Sequence, residues 1–398
     1  MSQTEKEIKL ANEISALNYK PLPVVLSEGE GVWVKDIDGN RYMDMLSAYS
    51  SLNQGHRHPK IIKALKEQAD RITVTSRAFH NDRMGTFLKK LCEMSGFKKA
   101  LPMNSGSEAV ETCIKAARKW AFETKGIKDG EIIVCADNFH GRTITIISFS
   151  SEPQYREGFG PFTPGFVIVP YGDIKAMEAA VTEKTIAVLL EPVQGEAGVI
   201  IPPKGYLKDI RSLCDRHKIL MILDEIQTGF CRTGKMFAFM HEGARPDVLA
   251  VGKALGGGVY PISAMLSDEE VMGVFRPGDH GSTFGGNPLA AAVGKAALEV
   301  LEEENLAEKS RELGGYFMDK LKSLNSPFVK EVRGMGLFIG VEIKKECGPA
   351  RTYCEKLMKL GLLCKETHEQ TIRFAPPLVI TKAQLDDAFE QVKKVLLP

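Results

Sequence analysis

The chain has 398 residues, is 43% hydrophobic and 26% charged, and carries a net charge of +1. That balance is ordinary for a globular protein and gives no electrostatic ground for nucleic acid or an anionic membrane as the main partner. No apolar run is long enough to span a bilayer, the first residues resemble neither a secretory signal nor an Arg-rich transit peptide, and eight scattered cysteines without a Cys-x-x-Cys pair read as reduced thiols of a cytoplasmic protein.

In chain order, residues 4 to 17 read as a short amphipathic helix, and Tyr19-Lys20-Pro21-Leu22-Pro23 enforces an extended segment after it. Val32-Trp33-Val34 and Arg41-Tyr42-Met43 flank Asp36-Ile37-Asp38-Gly39-Asn40, which is a hairpin signal with turn chemistry at its centre. Gly55-His56-Arg57-His58-Pro59 holds a His-x-His pair, but no third metal ligand is placed beside it. A turn leading into a helix from Pro59 is the preferred reading, and no metal site is expected.

Asn104-Ser105-Gly106-Ser107-Glu108 has capping-box spacing between Ser105 and Glu108, and Val110, Ile114, Ala117 and Ala121 then share one helical face. The amides of Gly106 and Ser107 stay free at such a helix start. They make either an anion site or the start of a plain capped helix. Glu131 to Ala136 and Ile186 to Leu190 read as strands. They deliver Phe139 and Arg142, and then Glu196, just past their ends. Strands and helices alternate up to Lys253, the pattern of a mostly parallel α/β sheet.

Two short apolar runs carry the chemistry. Ile219 to Leu223 stops at Asp224 and Glu225, and Val248 to Val251 stops at Gly252 and Lys253. Ligands of parallel sheets sit beyond the carboxyl ends of the strands, so an Asp and a Lys reach one crevice from two strands. A Lys in an apolar, Gly-lined pocket can attack an aldehyde, and pyridoxal phosphate needs such a Lys together with an Asp on its ring nitrogen. On these residues alone, a helix-capping Asp224 and a solvated Lys253 fit equally well. Past Pro261 a Gly-rich loop, Gly281 to Asn287, precedes a long Ala-rich helix. Val332 to Val341 and Thr371 to Phe374 then read as strands of a smaller α/β domain.

Gly229 to Lys235 spells GFCRTGK, the first seven positions of a P-loop, but Met236 stands where a magnesium-binding hydroxyl belongs and no strand leads directly into it. A nucleotide hydrolase built on this segment is the rival from another functional class.

The segments NYKPLP, SAYSSLNQGHRHP, NFHGRT, EPVQGEAG, LDEIQTG, GKALGGG, HGSTFGGNP and IRFAPPL together resemble the class III pyridoxal-phosphate-dependent aminotransferases over nearly the whole chain. The resemblance is strongest to members that move the δ-amino group of L-ornithine to 2-oxoglutarate; members acting on acetylornithine, 4-aminobutyrate or lysine are the alternatives. It implies a fold-type I transferase. Its large domain, residues 46 to 295, holds a mostly parallel central sheet. A smaller α/β domain, residues 296 to 398, packs with an N-terminal segment, residues 1 to 45. It also implies a homodimer with shared sites, or a larger assembly of such dimers.

Residue by residue, the resemblance makes Lys253 the lysine that condenses with the cofactor and then moves the proton. Asp224 becomes the partner of the ring nitrogen and Gln227 that of the ring hydroxyl. Gly106 and Ser107 hold the phosphate, Thr283 reaches the phosphate of the neighbouring subunit, and Phe139 stacks on the ring. Tyr19 and Arg142 bind the substrate α-carboxylate, Tyr49 shapes the pocket, and Glu196 with Arg373 forms a gate. Two departures stand out: Ser105 where members commonly carry Thr, which keeps the hydroxyl cap, and Leu223 where Ala is commoner, which slightly crowds the sheet.

Overall fold

The computed structural model describes all 398 residues. Strands β1 (Leu26–Glu30), β2 (Trp33–Asp36) and β3 (Arg41–Asp44) form an antiparallel ribbon, with Trp33 opposite Met43. The turn between β2 and β3 is held by the Asp36 carboxylate. It accepts from the amides of Asp38 (3.0 Å) and Asn40 (2.8 Å) and from the Tyr42 hydroxyl (2.9 Å). The expected hairpin is therefore present, closed by the acidic turn residue that its sequence supplies.

The central sheet contains β4 (Lys99–Met103), β5 (Glu131–Cys135), β6 (Phe166–Val169), β7 (Thr185–Leu190), β8 (Leu220–Asp224), β9 (Val248–Val251) and β10 (Ser263–Ser267). Their order is β4-β10-β9-β8-β7-β5-β6, and only β10 runs against its neighbours. The strands read as unbroken apolar runs because both faces are covered. Ile132, Val134, Leu220 and Ile222 point into one core, while Ile133, Cys135, Met221 and Leu223 point into the other. Each such buried side chain contributes about 1.5–3 kcal/mol, so the sheet is the stiff element from which the strand ends project.

The C-terminal part adds β11 (Val329–Met335), β12 (Phe338–Ile343), β13 (Leu362–Leu363), β14 (Lys365–Thr367) and β15 (Thr371–Phe374). An antiparallel sheet, β11-β12-β15-β14, is built from four of these, and β13 instead pairs in parallel with β3, Leu362 opposite Met43. The N-terminal ribbon is thus completed by the C-terminal chain. One continuous helix, Pro288–Glu303, runs across the 295/296 division expected from sequence.

Two local features differ from the expectations. The first helix, Gln3–Ile14, ends three residues early and buries none of its side chains. Its start rests on a capping box between Ser2 and Glu5. Ser47, Ala48, Tyr49 and Ser50 all have positive φ (46°, 46°, 60° and 71°) and make one left-handed turn that nothing in the sequence announced. Left-handed backbone costs a residue with a Cβ about 1–2 kcal/mol, so this turn persists only because its surroundings impose it.

Candidate active site

Beyond the carboxyl ends of β5, β7, β8 and β9 lies a cavity of about 190 Å³. Six of the seven residues expected to bind the cofactor line it: Gly106, Ser107, Phe139, Asp224, Gln227 and Lys253. Asp224 ends β8, buried. Its Oδ1 accepts from the Ile226 amide (3.0 Å), and its Oδ2 accepts from His140 Nδ1 (2.7 Å). Burial alone would lower the His140 pKa, but the hydrogen bond and charge of Asp224 outweigh it and raise it.

The helix Gly106–Lys125 closes another side of the cavity. Ser105 Oγ accepts from the Glu108 amide (3.2 Å), and Glu108 Oε2 accepts from the Ser105 amide (2.7 Å), which completes the box read from sequence. The Gly106 and Ser107 amides precede the first helical acceptors and remain free donors. Gly141 faces them at φ 127°. A Cβ there would lie 2.1 Å from Ser107 Oγ, so the hollow exists only with glycine.

Lys253 sits at φ 44° on a short 3-10 turn after β9. Burial lowers its pKa, and the acids that would oppose this are engaged elsewhere: Glu196 with Arg373 and Asp224 with His140. The amine is thereby biased toward its neutral, nucleophilic form. Glu196 Oε1 lies 2.5 Å from Arg373 Nη1, and Gln227 Nε2 donates to Glu196 Oε1 (3.3 Å) and to the Tyr49 carbonyl (3.5 Å). Burial pushes the Glu196 pKa up, but the guanidinium overcomes it and holds it below the usual carboxylate value. Arg373 is 1% exposed, its Nε and Nη2 have no partner, and its Cζ lies 5.1 Å from the centre of the Tyr49 ring.

Six expected residues are outside the lining of the cavity: Tyr49, Glu196 and Arg373, which adjoin it through Gln227, and Tyr19, Arg142 and Thr283, which are exposed. Tyr19 is 75% exposed on the extended segment after the first helix. Arg142 is exposed, its guanidinium 3.5 Å over the Tyr155 ring and 5.5 Å from that of Phe139. Thr283 is exposed on a loop whose Ser282 Oγ accepts from Asn104 Nδ2 (2.9 Å) and from the Gly285 amide (3.0 Å). Sequence reasoning missed His140 and Glu191, both cavity residues. Glu191 Oε2 accepts from the Phe139 amide (3.0 Å), and burial pushes its pKa up to about 8. For Glu191 the available signal was the same as for Asp224, a polar residue directly at the end of an apolar strand; His140 carries no such signal.

The P-loop lookalike is a packed loop. The amides of Gly229, Cys231, Arg232 and Gly234 donate to backbone carbonyls of Glu225, Met236, Gly229 and Cys231, so the glycine amides that a phosphate cradle would use are taken. His56 and His58 face different partners, Asp44 Oδ2 and Glu304 Oε1, each at 2.8 Å. No helix is long and apolar enough to cross a membrane.

Residues 14–396 match the family model described as aminotransferase class-III. The chain belongs to the class-III aminotransferases. A curated relative of this family from Exiguobacterium, called ornithine aminotransferase, is 60% identical over 100% of this chain and 99% of its own; another of that name from Brevibacillus brevis is 59% identical over 100% and 99%. Among solved structures, an ornithine aminotransferase from Toxoplasma gondii superposes with a TM-score of 0.98 at 44% identity, covering 100% of this chain and 95% of that one. An acetylornithine aminotransferase from Elizabethkingia anophelis gives 0.90 at 45% identity, covering 100% and 99%.

Class-III aminotransferases use pyridoxal 5′-phosphate. The residues present fit such a group: free amides beside a glycine-dependent hollow, a carboxylate at one wall, and a lysine of lowered pKa in the same cavity.

Proposed function

We propose that this class-III aminotransferase transfers the δ-amino group of L-ornithine to 2-oxoglutarate, giving glutamate 5-semialdehyde, which cyclises to pyrroline-5-carboxylate, and L-glutamate. The observation that carries the reading is the Glu196–Arg373 pair beside Gln227, Tyr49 and Lys253. One pocket has to accept first a cationic amine and then a carboxylate at its reacting end. With Glu196 on Arg373, the positive charge is neutralised and ornithine is tolerated. When 2-oxoglutarate arrives, its carboxylate replaces that of Glu196 and meets the two unpartnered guanidinium nitrogens. Removing a buried partner outright costs several kcal/mol, whereas exchanging one carboxylate for another avoids most of that cost.

Pyridoxal phosphate, when bound, supplies an aldehyde for the amino group and an electron-accepting ring. In this reading Gly106 and Ser107 bind its phosphate through their amides, and Asp224, oriented by His140, holds a proton on its ring nitrogen. Gln227 would bond the ring hydroxyl, and Phe139 would pack against the ring. Lys253 Nζ carries the proton off the substrate δ-carbon. Tyr19 and Arg142 take the α-carboxylate, which requires both exposed side chains to swing inward. Thr283 reaches the phosphate of a second subunit in a homodimer. The division between the large and small domains then falls at the end of the Pro288–Glu303 helix rather than within it.

The similarity to an acetylornithine aminotransferase structure favours one second reading, N-acetylornithine as donor. A side-by-side assay of ornithine, N-acetylornithine, 4-aminobutyrate and lysine with 2-oxoglutarate decides between them. Preference for ornithine is expected, and a clear preference for N-acetylornithine would replace the proposal.

A further inference from the structure

Arg232, inside the P-loop lookalike, is fully buried and faces no carboxylate within ion-pairing distance. Its Nη1 donates to the Leu337 carbonyl (2.9 Å) and the Pro376 carbonyl (2.7 Å). Its Nη2 donates to Ser47 Oγ (3.1 Å) and Asn53 Oδ1 (2.5 Å). Three chain segments far apart in sequence therefore meet on one planar cation: the start of the left-handed turn, the loop between β11 and β12, and the chain leaving β15. A buried charge satisfied only by neutral acceptors is costly, and a fork with fixed directions is what makes it useful for setting geometry. Burial lowers its pKa, to about 9, which still leaves it cationic at neutral pH.

The contacts continue into the candidate site. Ser47 Oγ donates in turn to the Ala375 carbonyl (2.6 Å), two residues beyond Arg373. Ala375 donates its amide to the Met45 carbonyl (2.7 Å), and the Asn53 side chain donates to the Phe230 carbonyl (2.7 Å). Tyr49 follows Ser47 by two residues within the strained turn. The Arg232 backbone is itself fixed, because Ser310 Oγ donates to its carbonyl (2.8 Å). Gly336 packs so closely that a Cβ would lie 2.5 Å from the carbonyl carbon of Thr233.

We propose that Arg232 is a positioning residue for donor specificity, acting through Ser47 to hold the left-handed turn that presents Tyr49 against Arg373. The inference rests on the reading of Tyr49 and Arg373 as substrate-pocket residues. Without the fork, the turn relaxes toward ordinary backbone, Tyr49 leaves the guanidinium face, and the pocket loses its discrimination between ornithine and other amines.

The test measures the ratio of kcat/KM for ornithine to that for 4-aminobutyrate in cofactor-loaded protein, with melting curves and visible absorption recorded in parallel. Ser47→Ala removes one acceptor of the fork, and Arg232→Lys keeps the charge without it. Each is expected to lower the ratio about tenfold, through the KM for ornithine rather than kcat, while the absorption is retained. The double variant is expected to be no worse than Arg232→Lys alone, since both act on one contact. A folded, loaded Ser47→Ala or Arg232→Lys protein with the wild-type ratio overturns the inference, and so does loss of soluble protein in both, which would assign Arg232 to folding alone. Tyr49→Leu separates the two levels. If it shifts the ratio and the other variants do not, the positioning role fails; if it also leaves the ratio unchanged, the assignment of Tyr49 fails first.

Discussion

At the scale of single residues, two ionisable groups of the cavity are displaced in directions that can be tested. Burial lowers the Lys253 pKa, so more of its amine is neutral at a given pH than for an exposed lysine. Lys253→Ala is expected to abolish transamination, read as no turnover of any of the four donors, while the fold is kept by circular dichroism. Turnover near the wild-type rate would remove the lysine from the reaction. Glu191 is displaced upward, to about 8 from an ordinary 4.5. An acid whose folded pKa is raised binds more protons folded than unfolded between those values, so stability falls as pH rises from 4.5 to 8. Glu225 is raised for the same reason, to about 7, and adds a decline of its own. The informative quantity is therefore the difference between wild type and Glu191→Gln. The melting temperature of the cofactor-free variant is expected to gain on wild type across that window and to level off above it; a constant difference from pH 5 to 9 would contradict a neutral Glu191.

At the scale of elements, the helix Gly106–Lys125 joins stability to the site. Its Ser105 cap satisfies one amide and leaves the two before it aimed at the cavity. Ser105→Ala is expected to cost about 1 kcal/mol in denaturant unfolding of the cofactor-free protein. It should also weaken cofactor affinity, because a frayed first turn no longer fixes the Gly106 and Ser107 amides; an unchanged midpoint and unchanged affinity would show that the cap is idle. This helix start was legible in sequence because capping chemistry is local, and so were Asp224 and Lys253, because buried strands end abruptly where the chain turns polar. His140 was not, since its partner lies 84 residues away and nothing local marks the pairing. Nor was the turn Ser47 to Ser50, which lacks the Gly or Asn that usually signals positive φ. Its conformation is imposed by Asp44, whose Oδ1 accepts from the Leu46 and Ser47 amides at 2.8 Å, and by Arg232, and both act through tertiary structure. The GFCRTGK segment misleads for the converse reason. Its glycines serve close packing, Gly234 against Arg311 and Gly229 against Phe237, rather than an anion.

At the scale of the whole molecule, the described chain leaves an apolar region uncovered next to the site. Phe79 is 73% exposed and Phe284 51%, and their loops touch where Asn81 Nδ2 donates to the Gly286 carbonyl (3.1 Å). Thr283 stands beside Phe284, exposed and outside its own chain's cavity. Exposed large apolar side chains suit an interface, and in the proposed homodimer a second copy of the chain seated there would bring its own Thr283 to the phosphate side. Sedimentation is expected to give a dimer, but a dimer alone does not say whose threonine serves which site. Subunit mixing does. Lys253→Ala and Thr283→Asp are each expected to be inactive by themselves. If Thr283 acts across the interface, a mixed dimer concentrates both lesions in one site and leaves the other intact. Random reassociation of equal amounts makes half the dimers mixed, so about a quarter of all sites regain wild-type composition, and activity should recover to about that fraction. If Thr283 acts within its own subunit, every site in the mixture carries one lesion and no activity returns. Recovery therefore requires sharing, and its absence in demonstrably mixed dimers would confine each site to a single chain.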